Sequence, residues 1–261
     1  MRPTPPGPSV PPGSTVPPSE TAAPGNARRA RNAVPSGDTV DVWWFDTRTV
    51  AVTPAGLAGL DPGERSRAGA FLFPADRHRY QVAHLMLRQV LASYTGTAPG
   101  RLRLDREPCP RCGAAGKPVL RPQPGARAVP SFSLSHSGDM VVIAVAGRPV
   151  GVDAERDADR CVCPLAAVLH PADAAGLAEL EERERHEAII TCWVRAEAVL
   201  KCTGQGVGHG LGGFPAGPGP AGDLGVSGGT VRQLAAPAGY RAAVALAGGE
   251  AMAVVCVRNR S

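Results

Sequence analysis

Gly151-Val152-Asp153-Ala154-Glu155 closes an apolar stretch, and Trp193-Val194-Arg195-Ala196-Glu197-Ala198-Val199-Leu200-Lys201 follows further along the chain. Alternate residues of a strand face one side, so Asp153 and Glu155 project together. Residues four apart on a helix share a face, so Glu197 and Lys201 do too. A strand pair and a helix carboxylate, folded together, make an all-oxygen pocket for a hard cation. Mg²⁺ takes only a few carboxylates and completes its octahedron with water and substrate phosphates. The two segments point to an α+β fold and to metal-assisted chemistry on a phosphate-bearing substrate.

The periodicity around them predicts the remaining elements. Val40 to Phe45 reads as a strand. Asp61-Pro62 starts a helix to about Phe71, and Asp76 to Tyr94 reads as a longer one with Tyr80, Ala83, Leu87 and Leu91 on one face. Residues 107–127, rich in Pro, Gly and Cys, read as a loop. Ser131 to Leu134, Val141 to Val145 and Val150 to Val152 read as strands, with turns at Gly138-Asp139 and Gly147-Arg148. Helices follow at Pro171 to Leu180 and Arg183 to Cys202, then strands near Phe214 and at 231–234, 241–246 and 251–257, with Gly248-Gly249-Glu250 as a hairpin turn. Each half reads strand, helix, long helix, strands. This predicts two similar subdomains, 39–148 and 149–261, related by a pseudo-twofold with a cleft between them.

Residues 1–38 are dominated by Pro, Gly, Ser, Thr and Ala, a composition expected to be disordered. Arg28-Arg29 has no apolar segment after it, and no window is long and apolar enough to span a membrane. The expected location is the cytoplasm, with the seven cysteines as thiols. The net charge of +5 suits an anionic partner, but aromatics are too scarce for a nucleic-acid surface. Arginine fills nearly every basic position, and Lys117 and Lys201 are the two lysines in the chain. A lysine kept among arginines suggests a role for a compact point charge.

Four segments in order, Gly116-Lys117-Pro118, Leu134-Ser135-His136-Ser137-Gly138, Gly151 to Glu155 and Trp193 to Lys201, resemble the signatures of 4′-phosphopantetheinyl transferases of the larger, pseudo-dimeric Sfp type. The resemblance covers roughly residues 40–258. It implies that fold, and transfer of the phosphopantetheine arm of coenzyme A to a serine of an apo acyl or peptidyl carrier protein, leaving adenosine 3′,5′-bisphosphate. It implies Asp153, Glu155 and Glu197 as ligands of Mg²⁺, with Mn²⁺ as an alternative occupant, and Glu197 as the base for the incoming serine. Lys201 matches a phosphate-binding lysine. Lys117, with Pro118, matches the segment beside the adenine and 3′-phosphate end. His136, with Ser135 beside it, matches a 3′-phosphate ligand, and Arg67 and Arg79 match basic residues brought to the coenzyme. The family is linked to secondary metabolism, and a monomer is expected.

Two departures stand out. Ala196 occupies the place where the family carries a lysine, which predicts one phosphate-facing charge fewer, and Ala154 between the acids cannot ligate a metal. Cys109-Pro110-Arg111-Cys112-Gly113 is a knuckle-like pair that Cys161 and Cys163 would have to complete as a zinc site. Two other readings compete: a Mg²⁺-dependent nucleotide pyrophosphohydrolase using the same carboxylates, and an inactive binding module for coenzyme A or a carrier. Hydrolysis has no need of the Lys-Pro and Ser-His-Ser segments, and a pure binder has no need of all three carboxylates.

Overall fold

The computed structural model describes residues 33–122, 129–157, 168–206, 210–219, 223–226, 228–249 and 252–258. Most of the expected tail, and Cys161 and Cys163, lie outside them. Alternation builds the first sheet. In β1 (Thr39–Asp46) and β5 (Met140–Ala146), Val40, Val42, Trp44, Val142 and Ala144 share one buried face, while Phe45, Val141, Ile143 and Val145 share the other. β4 (Ser131–Ser137) pairs antiparallel with β5 through a turn at Gly138. A second sheet runs β6 (Val150–Arg156), β9 (Tyr240–Ala247), β8 (Gly229–Leu234), β7 (Leu224–Val226), all antiparallel. The inner faces meet in a core that joins Val40, Val42 and Trp44 to Val152, Ala154, Val244 and Leu246.

A long helix covers each outer face. α3 (Pro74–Thr95) lays Val82, Leu87 and Leu91 on the first sheet, and α5 (Glu182–Thr203) lays Ile190, Val194 and Ala198 on the second. Both helices end at a left-handed glycine, Gly96 and Gly204, where a Cβ would be strained. The short α1 (Pro54–Ala58) and α2 (Pro62–Gly69) precede α3, and α4 (Pro171–Ala178) precedes α5. The α2 start at Asp61 is a capping box with Glu64.

Each long helix carries one wholly buried arginine. Arg88 of α3 donates to Glu64 Oε2 at 2.7 Å, Asp61 Oδ2 at 2.8 Å and the carbonyls of Pro99 and Leu102. Arg195 of α5 donates to the carbonyls of Ala216, Gly217 and Gly219 and to Gln233 Oε1. A guanidinium has five donors in a fixed plane, so one side chain fastens several turns of loop to a helix.

Three expected features differ. Phe214 follows a short 3₁₀ turn, Leu211–Gly213, and is not in a strand. Residues 107–127 do not form a loop throughout: β2 (Leu104–Pro108) and β3 (Ala115–Leu120) make a separate hairpin that turns through the cysteine knuckle. Its glycine and proline content misleads because a two-stranded ribbon has no interior strand for proline to disrupt, and Pro118 sits on it opposite Arg106. Gly248-Gly249 does not close a hairpin. β10 (Ala253–Arg258) instead returns to the first sheet and pairs parallel with β1, covering what would be an open edge.

The two sheets also meet edge to edge, at β4 and β6. Ser133, Ser135 and Ser137 accept the backbone N–H groups of Val152 (3.0 Å), Ala154 (3.4 Å) and Arg156 (3.1 Å). Side-chain hydroxyls thus take the place of a neighbouring strand's carbonyls. On the other side of β6, α5 comes so close that a Cβ on Gly151 would lie 1.9 Å from the Ala198 carbonyl oxygen. Gly151→Ala is therefore expected to lower unfolding free energy by about 2 kcal/mol or more, read as a lower denaturant midpoint; an unchanged midpoint would contradict the close approach. Ser133→Ala strands the buried Val152 N–H and should cost about 1–3 kcal/mol, whereas a loss within 0.3 kcal/mol (roughly the scatter of surface changes) would show the seam to be dispensable.

Candidate functional site

Strand alternation sorts the site. On β4, Phe132 and Leu134 pack toward the α3 core and His136 follows them on that side, out at a cleft mouth. The serines between them face β6. On β6, Val152 and Ala154 enter the inter-sheet core, which leaves Gly151, Asp153 and Glu155 on the α5 side.

The serines of the seam also hold the carboxylates. Ser135 Oγ donates to Asp153 Oδ1 at 2.7 Å, and Ser137 Oγ donates to Glu155 Oε2 at 2.8 Å. Lys201 Nζ reaches Asp153 Oδ1 at 2.6 Å and Ser135 Oγ at 3.1 Å. Asp153 is 3 % exposed. Burial pushes its pKa above the ordinary carboxylate value; Lys201 opposes the shift and the charge of Glu155 reinforces it. Asp153 Oδ2 is buried without a hydrogen-bond partner, an open oxygen of the kind a hard cation takes. Among the described residues no three His, Cys, Asp or Glu side chains close on a metal by themselves. Glu197, half-buried, stands one helical turn before Lys201.

Two cavities adjoin this junction. One, of about 400 Å³, is lined by Lys117, Pro118, Lys201, Arg106, Cys109 and Phe132, among others. Lys117 Nζ donates to the Cys202 carbonyl at 3.2 Å, which ties the β2–β3 hairpin to the end of α5. The other, of about 370 Å³, is lined by His136, Ser137, Glu155, Arg79, Tyr80, Phe71 and Asp76. Arg79 pairs there with Asp76 at 2.9 Å and Asp139 at 3.5 Å. Arg67 stays exposed, its guanidinium 5.2 Å from the centre of the Phe71 ring. Desolvation first, then the positive charge of Lys201, holds His136 below the ordinary histidine pKa.

Asp153, Glu155, Ser135, His136, Arg79, Lys117, Pro118 and Lys201 thus border one junction or its two cavities; Arg67 reaches the second only through Phe71, and Glu197 is placed by its position on α5, one turn from Lys201. The alanine at 196 does not open a gap in the site. Ala196 is fully buried against Leu200 and Leu211. The reading by segments missed Ser137, Tyr80 and Phe71. Ser137 was legible in the serine alternation 131, 133, 135, 137; the two aromatics carry no signal apart from the cleft they line.

The family described as 4′-phosphopantetheinyl transferase, N-terminal, matches residues 52–148, and the 4′-phosphopantetheinyl transferase superfamily matches residues 149–245. Among relatives, the 4′-phosphopantetheinyl transferase HetI of Nostoc sp. is 31 % identical over 156 residues, 58 % of this chain and 62 % of that protein. The 4′-phosphopantetheinyl transferase psf-1 of Bacillus pumilus is 31 % identical over 154 residues, 59 % of this chain and 61 % of that protein. The 4′-phosphopantetheinyl transferase Sfp of Bacillus subtilis is 21 % identical over 151 residues, 58 % and 63 % of the two chains. The matched part spans just over three fifths of the length of these relatives. Two adjoining family matches that run from 52 to 245, over a helix–sheet–sheet–helix fold of two like halves, place the chain in the 4′-phosphopantetheinyl transferase superfamily.

Proposed function

We propose that the protein transfers the 4′-phosphopantetheine group of coenzyme A to a serine hydroxyl of an apo acyl or peptidyl carrier protein. The carrier serine oxygen bonds to the phosphorus that bears the pantetheine arm, the pyrophosphate bridge breaks on that side, and adenosine 3′,5′-bisphosphate leaves. The observation that carries this reading is the junction of Ser135, Asp153 and Lys201. Three segments far apart in the chain supply them, and they share hydrogen bonds of 2.6 to 3.1 Å.

Asp153, Glu155 and Glu197 are assigned as the carboxylates that hold Mg²⁺, with water and substrate phosphate completing the shell. A bound Mg²⁺ neutralises phosphate charge and makes the bisphosphate a better leaving group. Lys201 holds the Asp153 carboxylate and presents a point charge to the phosphates. Glu197 accepts the proton of the carrier serine, directly or through one water. Arg79 and His136 bind phosphate in their cleft, and Lys117 with Pro118 receives the nucleotide end. Arg67 adds positive charge at the rim. The protein works in this reading as a cytoplasmic monomer of subdomains 39–148 and 149–261, the second lending its last strand, β10, to the sheet of the first, and it serves carriers of secondary metabolism.

Incubation with coenzyme A, Mg²⁺ and an apo carrier protein should raise the carrier's intact mass by one phosphopantetheine. Asp153→Ala and Glu197→Ala should each lower kcat/KM by about a hundredfold or more, about 2.7 kcal/mol of transition-state stabilisation; retention of activity in either would remove that residue from the metal set. His136 provides a check that needs no turnover. Its imidazole is disfavoured as a cation in the free protein, and a bound phosphate favours that cation. Its pKa, followed by NMR, should lie below the ordinary value when free and rise when adenosine 3′,5′-bisphosphate binds. A titration unmoved by the bisphosphate would take His136 out of the phosphate site.

A further inference from the structure

The β2–β3 hairpin turns through Cys109-Pro110-Arg111-Cys112-Gly113, where Cys109 N–H donates to the Ala114 carbonyl at 2.7 Å and Gly113 N–H to the Cys109 carbonyl at 2.9 Å. Gly113 is left-handed, φ 73°, which lets the turn fold back on itself. The two cysteines differ in setting. Cys112 is exposed and Cys109 is buried. The backbone N–H groups of Arg111 and Cys112, close to it in the turn, and that of Gly206 favour the thiolate form of Cys109. Both cysteines line the cavity that also takes in Lys117 and Lys201.

We propose that Cys109 and Cys112 form a reversible thiol–disulfide site whose reaction partner is a low-molecular-weight disulfide. The exposed Cys112 reacts first: its sulfur bonds to one sulfur of the incoming disulfide, whose S–S bond breaks and releases one thiol. Cys109 then attacks the Cys112 sulfur from within the turn and expels the second thiol. The protein loses two hydrogens, and the external disulfide is reduced to two thiols. Each step is an attack by a thiolate, and the second is that of Cys109. The N–H donors lower the Cys109 pKa to about 6, and Arg106, Arg111, Lys117 and Lys201, in the turn or on the cavity wall, are all cationic. An ordinary thiol has a pKa of about 8.5. The inference is independent of the transferase reading, because it requires neither coenzyme A nor a carrier.

The test uses the full chain, reduced and then exposed to oxidised glutathione. Intact mass should fall by two hydrogens with no glutathione retained, and a thiol reductant should restore it. Trypsin cuts after Arg111, between the two cysteines, so the disulfide should keep two peptides joined. Cys109→Ser should instead trap glutathione on Cys112, and Cys112→Ser should show neither loss nor bridge. Resolution of the glutathione adduct on Cys112, the step that Cys109 carries out, should hold its rate down to about pH 6, below the value of about 8.5 for an ordinary thiol. A stable adduct on Cys112 in the wild type, a bridge to any other cysteine, a resolution step that keeps rising toward pH 9, or stoichiometric zinc that blocks reaction at both sulfurs would each overturn the proposal.

Discussion

Three backbone N–H groups on the outer edge of β6 find no strand beside them and are taken up by serine hydroxyls of β4. A buried N–H without an acceptor costs about 1–3 kcal/mol, so the two sheets cannot abut here without such a device. Serine suits it because one hydroxyl both accepts and donates. Ser135 and Ser137 use their acceptor side for the N–H groups and their donor side for Asp153 and Glu155. The atoms that join the two halves are therefore the atoms that orient the carboxylates. Fold and site are not separable along this seam.

The seam in turn dictates how close α5 must come. Lys201 reaches Asp153 only because the helix backbone lies directly on Gly151. The face of the helix on β6 is constrained by the approach: Ala198 is fully buried there against the second sheet, while Ala196 packs on Leu200 and Leu211 and Arg195 fastens the loop at 216–219. A carboxylate buried as deeply as Asp153 is unfavourable when charged. Lys201 offsets part of that cost, and a bound cation would offset more. The open Oδ2 is the counterpart of that imbalance on the structural side.

Much of this was legible in the chain, for definable reasons. The long helices and the β4, β5 and β6 strands show in periodicity because each has one face on a core. The segments around 134–138, 151–155 and 193–201 resemble a known family, and hydrogen bonds join Ser135 to Asp153 and Lys201 and Ser137 to Glu155. What periodicity could not show were contacts between segments. Arg88 and Arg195 look like ordinary helical arginines, and only the surrounding loops reveal them as buried clamps. The alanine at 196 invites a functional reading next to Glu197, yet a helix turns 100° per residue, so neighbours in sequence face different surroundings. The β2–β3 hairpin hid behind its glycine and proline, and the crossing of β10 to β1 depends on an edge that belongs to the other end of the chain.

The pseudo-symmetry itself explains why there is one such site and not two. β1 stands to α3 as β6 stands to α5. Where Asp153 meets Lys201 near the end of α5, Asp41 meets Tyr94 near the end of α3, with Tyr94 Oη donating to Asp41 Oδ2 at 2.7 Å. Trp43 takes the place corresponding to Glu155; its indole N–H donates to Tyr94 at 3.0 Å, and its ring stacks near Phe45. A neutral donor and two aromatic rings fill the space with packing. The same strand–helix contact is thus built twice, once with aromatic bulk around a single carboxylate and once with two carboxylates and an ammonium group; each leaves one buried carboxylate oxygen, Asp41 Oδ1 or Asp153 Oδ2, without a partner. Chemistry requires the second composition, because charge can be presented to a phosphate only where packing has not consumed the room. Closing the first copy leaves α3 free to act from its other end, where Arg79 and Tyr80 form the far wall of the cleft that Glu155 enters.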